Sequence, residues 1–275
     1  MKIKFSFLGL LIAALVICTG IRTEAAPVGT DWENQKITVV GSGVPPAGAY
    51  GPQARIMART AARADALRQL AEAVRGVQVD AETTVEMAMV QSDTVKLKVS
   101  SIVKGAKIVS ENVTSDGAYE VTMELPMFGA SGGIASAVLE RPTYVEPFPK
   151  PQTQRVDIST SVKISVKGGY TGIVIDCRDF HLQPVMSPVI KNDRGEKIYG
   201  HKNLDYDKVI EYGMASYADS MNQAYRAGSN PLVIKAVRLD DFNANPVVSM
   251  QDAELILSEN QISNFLEDTA VVFLY

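Results

Sequence analysis

Apolar and polar positions along this chain change their spacing three times, and each change predicts a different kind of element. An apolar run without a charge occupies residues 5–21, behind Lys2 and Lys4 and ahead of Thr23-Glu24-Ala25-Ala26-Pro27. A basic start, an apolar middle and a small-residue site in that order predict a secretory signal peptide over residues 1–25, cleaved after Ala25. The run is about 17 residues long, at the lower limit for a membrane span, so an uncleaved anchor is the alternative. Residues 36–41, rich in β-branched side chains, predict a strand, and Gly43, Pro45, Pro46, Gly48 and Gly51 end it. From 52 to 75 the spacing becomes helical, with Ile56, Met57, Ala64, Leu67, Leu70, Ala71 and Val74 on one stripe and Asp65, Gln69 and Glu72 opposite. Gly76 closes that helix.

Alternation returns at 77–85, where Val77, Val79 and Ala81 face away from Gln78, Asp80 and Glu82, predicting a second strand. A helix follows between 86 and 104, restarting near Thr94 and closed by Gly105. Strands at 106–113 and 118–128 flank Asp116-Gly117, a pair suited to a tight reverse turn. The first domain, over 32–130, therefore reads β-α-β-α-β-β. Pro142, Pro147, Pro149 and Pro151 make 141–155 a semi-rigid interdomain linker. Beyond it, the second domain (156–275) shows strands at 170–177, 185–190 and 196–199, the last two joined by Asn192-Asp193-Arg194-Gly195. A helix over 206–226, strands at 231–239 and 247–250, helical stretches over 251–266 and a buried strand at 270–275 complete it. The fold class is α+β, two α/β sandwich-like domains.

Composition changes little in this picture and excludes several functions. The 275 residues are 46% hydrophobic and 21% charged, an ordinary globular balance. Removing residues 1–25 takes away Lys2, Lys4, Arg22 and Glu24 and moves the net charge from −4 to −6. An acidic chain of this kind is a poor general binder of nucleic acid or anionic lipid. Of the two cysteines only Cys177 survives cleavage, which leaves no intramolecular disulfide. Cys18 could mark a lipoprotein signal, but the branched Ile17 before it stands where processing wants a small residue.

Candidate chemistry is sparse. Gly41-Ser42-Gly43 follows a strand as a dinucleotide fingerprint would, yet Pro45 and Pro46 occupy the turn where amide donors should face phosphates, and the third glycine is missing. The reading is a flexible strand exit. Asp176, Cys177, Asp179 and His181 form the densest group of ligand or nucleophile types. On a strand, however, Asp176 and Cys177 point to opposite faces, and His201 is too remote for a local metal pattern. They are kept as a weak alternative site, with no metal and no cofactor implied. Arg55, Arg59 and Arg63 recur every fourth residue on the long helix and could face an acidic partner; the angle of Arg63 places its stem on the apolar stripe and its head beside a carboxylate or carbonyl. Asp240, Asp241, Asp252 and Glu254 lack a glycine-punctuated loop and read as surface acidity.

The helix from Met57 to Arg75 (Met-Ala-Arg-Thr-Ala-Ala-Arg-Ala-Asp-Ala-Leu-Arg-Gln-Leu-Ala-Glu-Ala-Val-Arg), with the strand ending Gly41-Ser42-Gly43 before it and Gly76-Val77 after it, resembles the LPP20 lipoprotein family over residues 36–128. More distantly it resembles the N-terminal domain of the flagellar assembly protein T. The resemblance implies an exported envelope α/β module, in some members associated with the flagellar basal body, with no enzymatic activity and no functional residues to carry over. Together these features predict an exported, non-enzymatic protein, periplasmic or surface-associated, that works through contacts with envelope or basal-body proteins. The alternatives are a hydrolase or redox protein built on Cys177 and His181, or a small-ligand module with a cleft between the domains near Tyr144 to Tyr170.

Overall fold

The computed structural model describes residues 29–151 and 166–275. The expected signal peptide, Cys18 and part of the proline-rich stretch lie outside the described residues. The class is α+β, with a four-stranded antiparallel sheet in the first domain and two four-stranded sheets in the second.

In the first domain, strands β1 (Gly29–Asp31), β2 (Lys36–Gly43), β3 (Lys107–Val113) and β4 (Tyr119–Pro126) order as β1-β2-β4-β3. Val121, Met123 and Leu125 of β4 alternate inward, and with Ile37 and Val39 of β2 they make the sheet's apolar face. Helix α1 (Gly51–Arg75) lies across that face, and its buried side chains are Ala58, Ala62, Ala66, Leu70 and Val74. This corrects the expected stripe, because Ile56 and Met57 are 64% and 42% exposed. The reason lies in β2. A Cβ on Gly41 would stand 2.2 Å from the Ala66 nitrogen, and one on Gly43 would stand 2.2 Å from the Ala58 oxygen. Strand and helix backbones touch there, so only alanines fit along the helix face that meets the strand. Gly41 and Gly43 belong to the strand, paired with Val121 and Tyr119, and are not a flexible exit.

Helices α2 (Val85–Gln91) and α3 (Asp93–Lys104) divide at Ser92, whose hydroxyl accepts from the Val95 amide, close to the expected restart. Residues 77–85 do not form the expected strand. The Asp80 carboxylate accepts from the Glu82 and Thr83 amides and folds the segment into a turn. Its carbonyls bond elsewhere: Gln78 and Val79 accept from the Met186 and Ser187 amides of the second domain. With β1 added and this strand lost, the first domain runs β-β-α-α-α-β-β.

In the second domain, β5 (Gly172–Asp176), β8 (Ser216–Ala218), β9 (Pro231–Lys235) and β12 (Val271–Leu274) form a parallel sheet ordered β8-β12-β5-β9. Ile173, Ile175, Val271 and Phe273 enter the main core, while Val174, Val272 and Leu274 pack on Ala218, Ala224 and Ala227 on the other face. Burial on both faces is why the central strands β5 and β12 are almost wholly apolar. The other sheet is β10-β11-β6-β7, from β6 (Ile190–Asn192), β7 (Lys197–Tyr199), β10 (Arg238–Asp240) and β11 (Asn245–Val248). The expected strand at 231–239 is split between the two sheets. The expected helix over 206–226 stops after one short piece, α5 (Tyr206–Tyr212), because Gly213 turns the chain at φ +76° against Phe128 and Gln35. Residues 216–218 then join the parallel sheet instead. Helix α6 (Met250–Ser263) covers the core, and its fully buried Glu259 accepts from the Lys167 and Gly168 amides at 2.7 and 2.8 Å.

Short helix α4 (Ala135–Val138) precedes the proline-rich stretch. The described part of that stretch is laid along the second domain: the Arg141 guanidinium sits 4.2 Å from the Tyr206 ring centre, the Glu146 amide donates to the Lys202 carbonyl, and Phe148 stacks on Tyr199 at 6.2 Å.

Candidate functional site

The sequence singled out one helix face and one strand end, and the structure treats them differently. On α1, Arg59 and Arg63 converge on a single carboxylate. Glu111 of edge strand β3 accepts from Arg59 Nη2 at 2.6 Å and from Arg63 Nη2 at 2.8 Å, with both Nε groups at 3.1 Å. These hydrogen bonds hold the Glu111 carboxyl below its usual range. Both arginines keep about two-fifths of their side chains exposed, at 44% and 40%, so one positive charge of the three-group cluster is left over at the surface. Arg55, one turn earlier, is exposed and has no ion pair among the described residues. Val44, Tyr50, Ile56 and Met57 are large apolar side chains exposed at the β2 exit and the first two turns of α1. The geometry thus joins Arg59 to Arg63 through Glu111 and leaves Arg55 outside the cluster. Glu111 was not legible as their partner, since a lone acid on a strand carries no sign of which helix lies across it.

The four residues at the end of β5 do not form one site. Cys177 is fully buried, and burial, with the Asp176 charge nearby, pushes its thiol up to about 12. Asp176 pairs with Arg178 at 2.6 Å, Asp179 with Lys235 at 2.6 Å, and His181 is exposed. A buried thiol facing the core and a histidine facing solvent share no contact through which one could activate the other. Among the described residues no group of three or more His, Cys, Asp and Glu side chains is gathered as a metal site.

Two of the clefts along the seam between the domains bear on function. One, of about 650 Å³, lies beside the proline-rich stretch and is lined by Glu146, Pro147, Pro149, the Asp80–Thr83 turn and His201. It carries acids and bases in similar number. The other, of about 490 Å³, lies between the β1–β2 turn (Glu33, Asn34, Gln35) and Tyr212, Tyr225, Arg226 and Asp268 of the second domain. Gln35 Nε2 donates to the Ala215 carbonyl and Gln223 Nε2 to Glu33, bridging that cleft. Arg226 was not singled out by the sequence, which reads it as the last residue of the expected 206–226 helix.

Two family models match separate parts of the chain. Residues 33–126 match the family described as LPP20 lipoprotein. They form an LPP20-family domain. The glycine–alanine seam between β2 and α1 and the arginines on Glu111 both fall within it. Residues 172–275, holding the parallel sheet, match the second domain of Treponema pallidum Tp0624. No curated protein matches the chain. Among the described residues no helix is long and apolar enough to cross a membrane. Carrying an LPP20 domain, the chain fits an exported, envelope-associated protein.

Proposed function

We propose that this protein acts without catalysis, as an assembly component of the cell envelope that docks a protein partner on the N-terminal half of α1. The observation that carries the reading is that exposed Ile56 shares one side of α1 with Arg59 and Arg63, three and seven residues on, while Tyr50 and Arg55 are exposed at the start of the helix. Aromatic, methionine and arginine side chains on a rigid support are the residue types enriched where proteins bind one another. Arg59 and Arg63, drawn together by Glu111, extend that surface with a fixed positive edge for an acidic rim on the partner. The partners this surface suits are envelope proteins, with flagellar ring components as the specific candidates. The burial of Cys177 away from His181 supports a non-catalytic role.

The test is site-specific photocrosslinking in intact cells. A photoreactive residue at position 56 is expected to give a defined adduct with an envelope protein, and one at exposed position 104 on α3 is not. The adduct should disappear with Arg55→Glu in a variant that folds. Equal labelling from both positions, or none from position 56, would refute the docking surface.

A further inference from the structure

Arg226, part-buried at the seam between the domains, carries a charge that no acid answers among the described residues. Its Nε donates to the Thr269 carbonyl at 2.7 Å, and its Nη2 donates to the Gly213 carbonyl at 2.7 Å and to Thr269 Oγ1 at 3.0 Å. All three acceptors are neutral. No carboxylate of the described residues reaches ion-pair distance of the guanidinium, although Glu33 and Asp268 line the same cleft: Asp268 is held by Lys208 at 2.7 Å and Glu33 receives a bond from Gln223 at 3.4 Å. Burial pulls the Arg226 pKa down, which reflects an environment poor in countercharge. A part-buried arginine without an acid is costly unless something supplies the negative charge. Three fixed bonds orient the planar fork and leave Nη1 without a hydrogen-bond partner among the described residues, so the group is preorganised for an incoming oxygen.

The rest of the cleft describes what could bring that oxygen. Tyr212 and Tyr225, 60% and 81% exposed, stand in its lining as open aromatic faces. Gln35 and Ser216 add neutral polar groups, and Glu33 and Asp268 add negative charge that would repel a ligand with more than one anionic group. A volume of about 490 Å³ falls in the range of small-molecule sites.

We infer that the cleft between the β1–β2 turn and the second domain binds a small organic monocarboxylate, its carboxylate on Arg226 and its body against Tyr212 and Tyr225. The site is separate from the α1 surface, so the two readings stand or fall independently. Binding there would hold Glu33–Gln35 of the LPP20 domain against the second domain and tie the seam in the bound state.

Trp32, the single tryptophan of the chain, precedes Glu33 and sits edge-on to Tyr217 at 5.6 Å, so its fluorescence reports on this turn. The full chain would be titrated with N-acetylphenylalanine, with its neutral amide and with phenyl phosphate, following Trp32 emission and isothermal heat. The carboxylate is expected to saturate at least tenfold tighter than the amide, and the doubly charged phosphate to bind more weakly than the carboxylate. Arg226→Gln should abolish the preference for the carboxylate over the amide. Because Arg226 also supports Gly213 and Thr269, Glu33→Gln provides a second variant on the exposed turn: it should fold as the parent does and bind phenyl phosphate more tightly. Equal binding of carboxylate and amide, no saturable binding of either, or a folded Arg226→Gln that keeps the preference would overturn the inference.

Discussion

Replacing Gly41 by alanine adds one methyl group, and the structure leaves it nowhere to go. The new Cβ would lie 2.2 Å from the Ala66 nitrogen, 2.3 Å from the Ala62 oxygen and 2.6 Å from the Ala66 Cα. All three are backbone atoms of α1, so no rotamer change relieves the clash and no smaller neighbour can be substituted. The helix must back away by roughly 1 Å, which forfeits a large part of the dispersion contact along Ala58, Ala62, Ala66, Leu70 and Val74. Overpacking usually costs about 1–3 kcal/mol, and a rigid backbone neighbour puts Gly41→Ala at the upper end, about 3 kcal/mol. For a chain of this size that lowers the melting temperature by roughly 6–12 °C. Gly76→Ala is the control, at φ −76° with its nearest atom 3.6 Å away; it should be neutral or stabilise by about 0.4–1 kcal/mol, by restricting the unfolded chain. Differential scanning calorimetry of both variants decides the matter. A Gly41→Ala protein that melts with the parent would show that strand and helix are not in backbone contact.

Glu259→Ala removes the acceptor of two buried amides and should cost about 3 kcal/mol, seen as a lower urea midpoint and faster trypsin cleavage after Lys167; an unchanged cleavage rate would contradict it. The Glu111 carboxyl is held low by Arg59 and Arg63, so its contribution to stability is present above its unfolded pKa, near 4.5, and is lost as pH falls through the lower folded value. Thermal melts across that acid range should show a shallower decline for Glu111→Gln than for the parent, and parallel declines would exclude the ion-pair cluster as the cause. Cys177, with its thiol pushed up to about 12, should react with a disulfide reagent only as the protein unfolds, its rate rising through the urea transition. Labelling of the native protein at the rate of a free thiol would mean the core there opens.

What the sequence made legible was local. The alanine-rich helix, the restart at Ser92, the Asp116-Gly117 hairpin and the apolar last strand all follow from neighbours within a few positions. The failures are non-local. Val77 and Val79 do point inward, as their alternation suggests, but the partner of that backbone is residues 186–187 and not a sheet neighbour. Residues 216–218 join a parallel sheet whose next strand, β12, begins at Val271, and no periodicity within 206–226 announces it. The face of α1 was misphased because side-chain size usually ranks burial; here Ile56 and Met57 lost the core to alanines once two glycines of β2 had closed the gap. A glycine at every second strand position opposite an alanine at every fourth helix position was the signal for that, and it needs both elements read together. Of the site, the arginine spacing was visible and its consequence was not, since Glu111 and Arg226 acquire meaning only from what folds beside them.

The stitching between the domains has a mechanical side. Gly129 and Glu146 are bonded by their backbone amides to Ile210 and Lys202, and residues 186–187 are bonded to Gln78 and Val79. A tug on the first domain therefore loads several backbone bonds at separate points, and their strain passes into α5, the turn at Lys202 and the segment before β6. A pair of modules joined this way resists being pulled apart at one end, because no single bond carries the whole load.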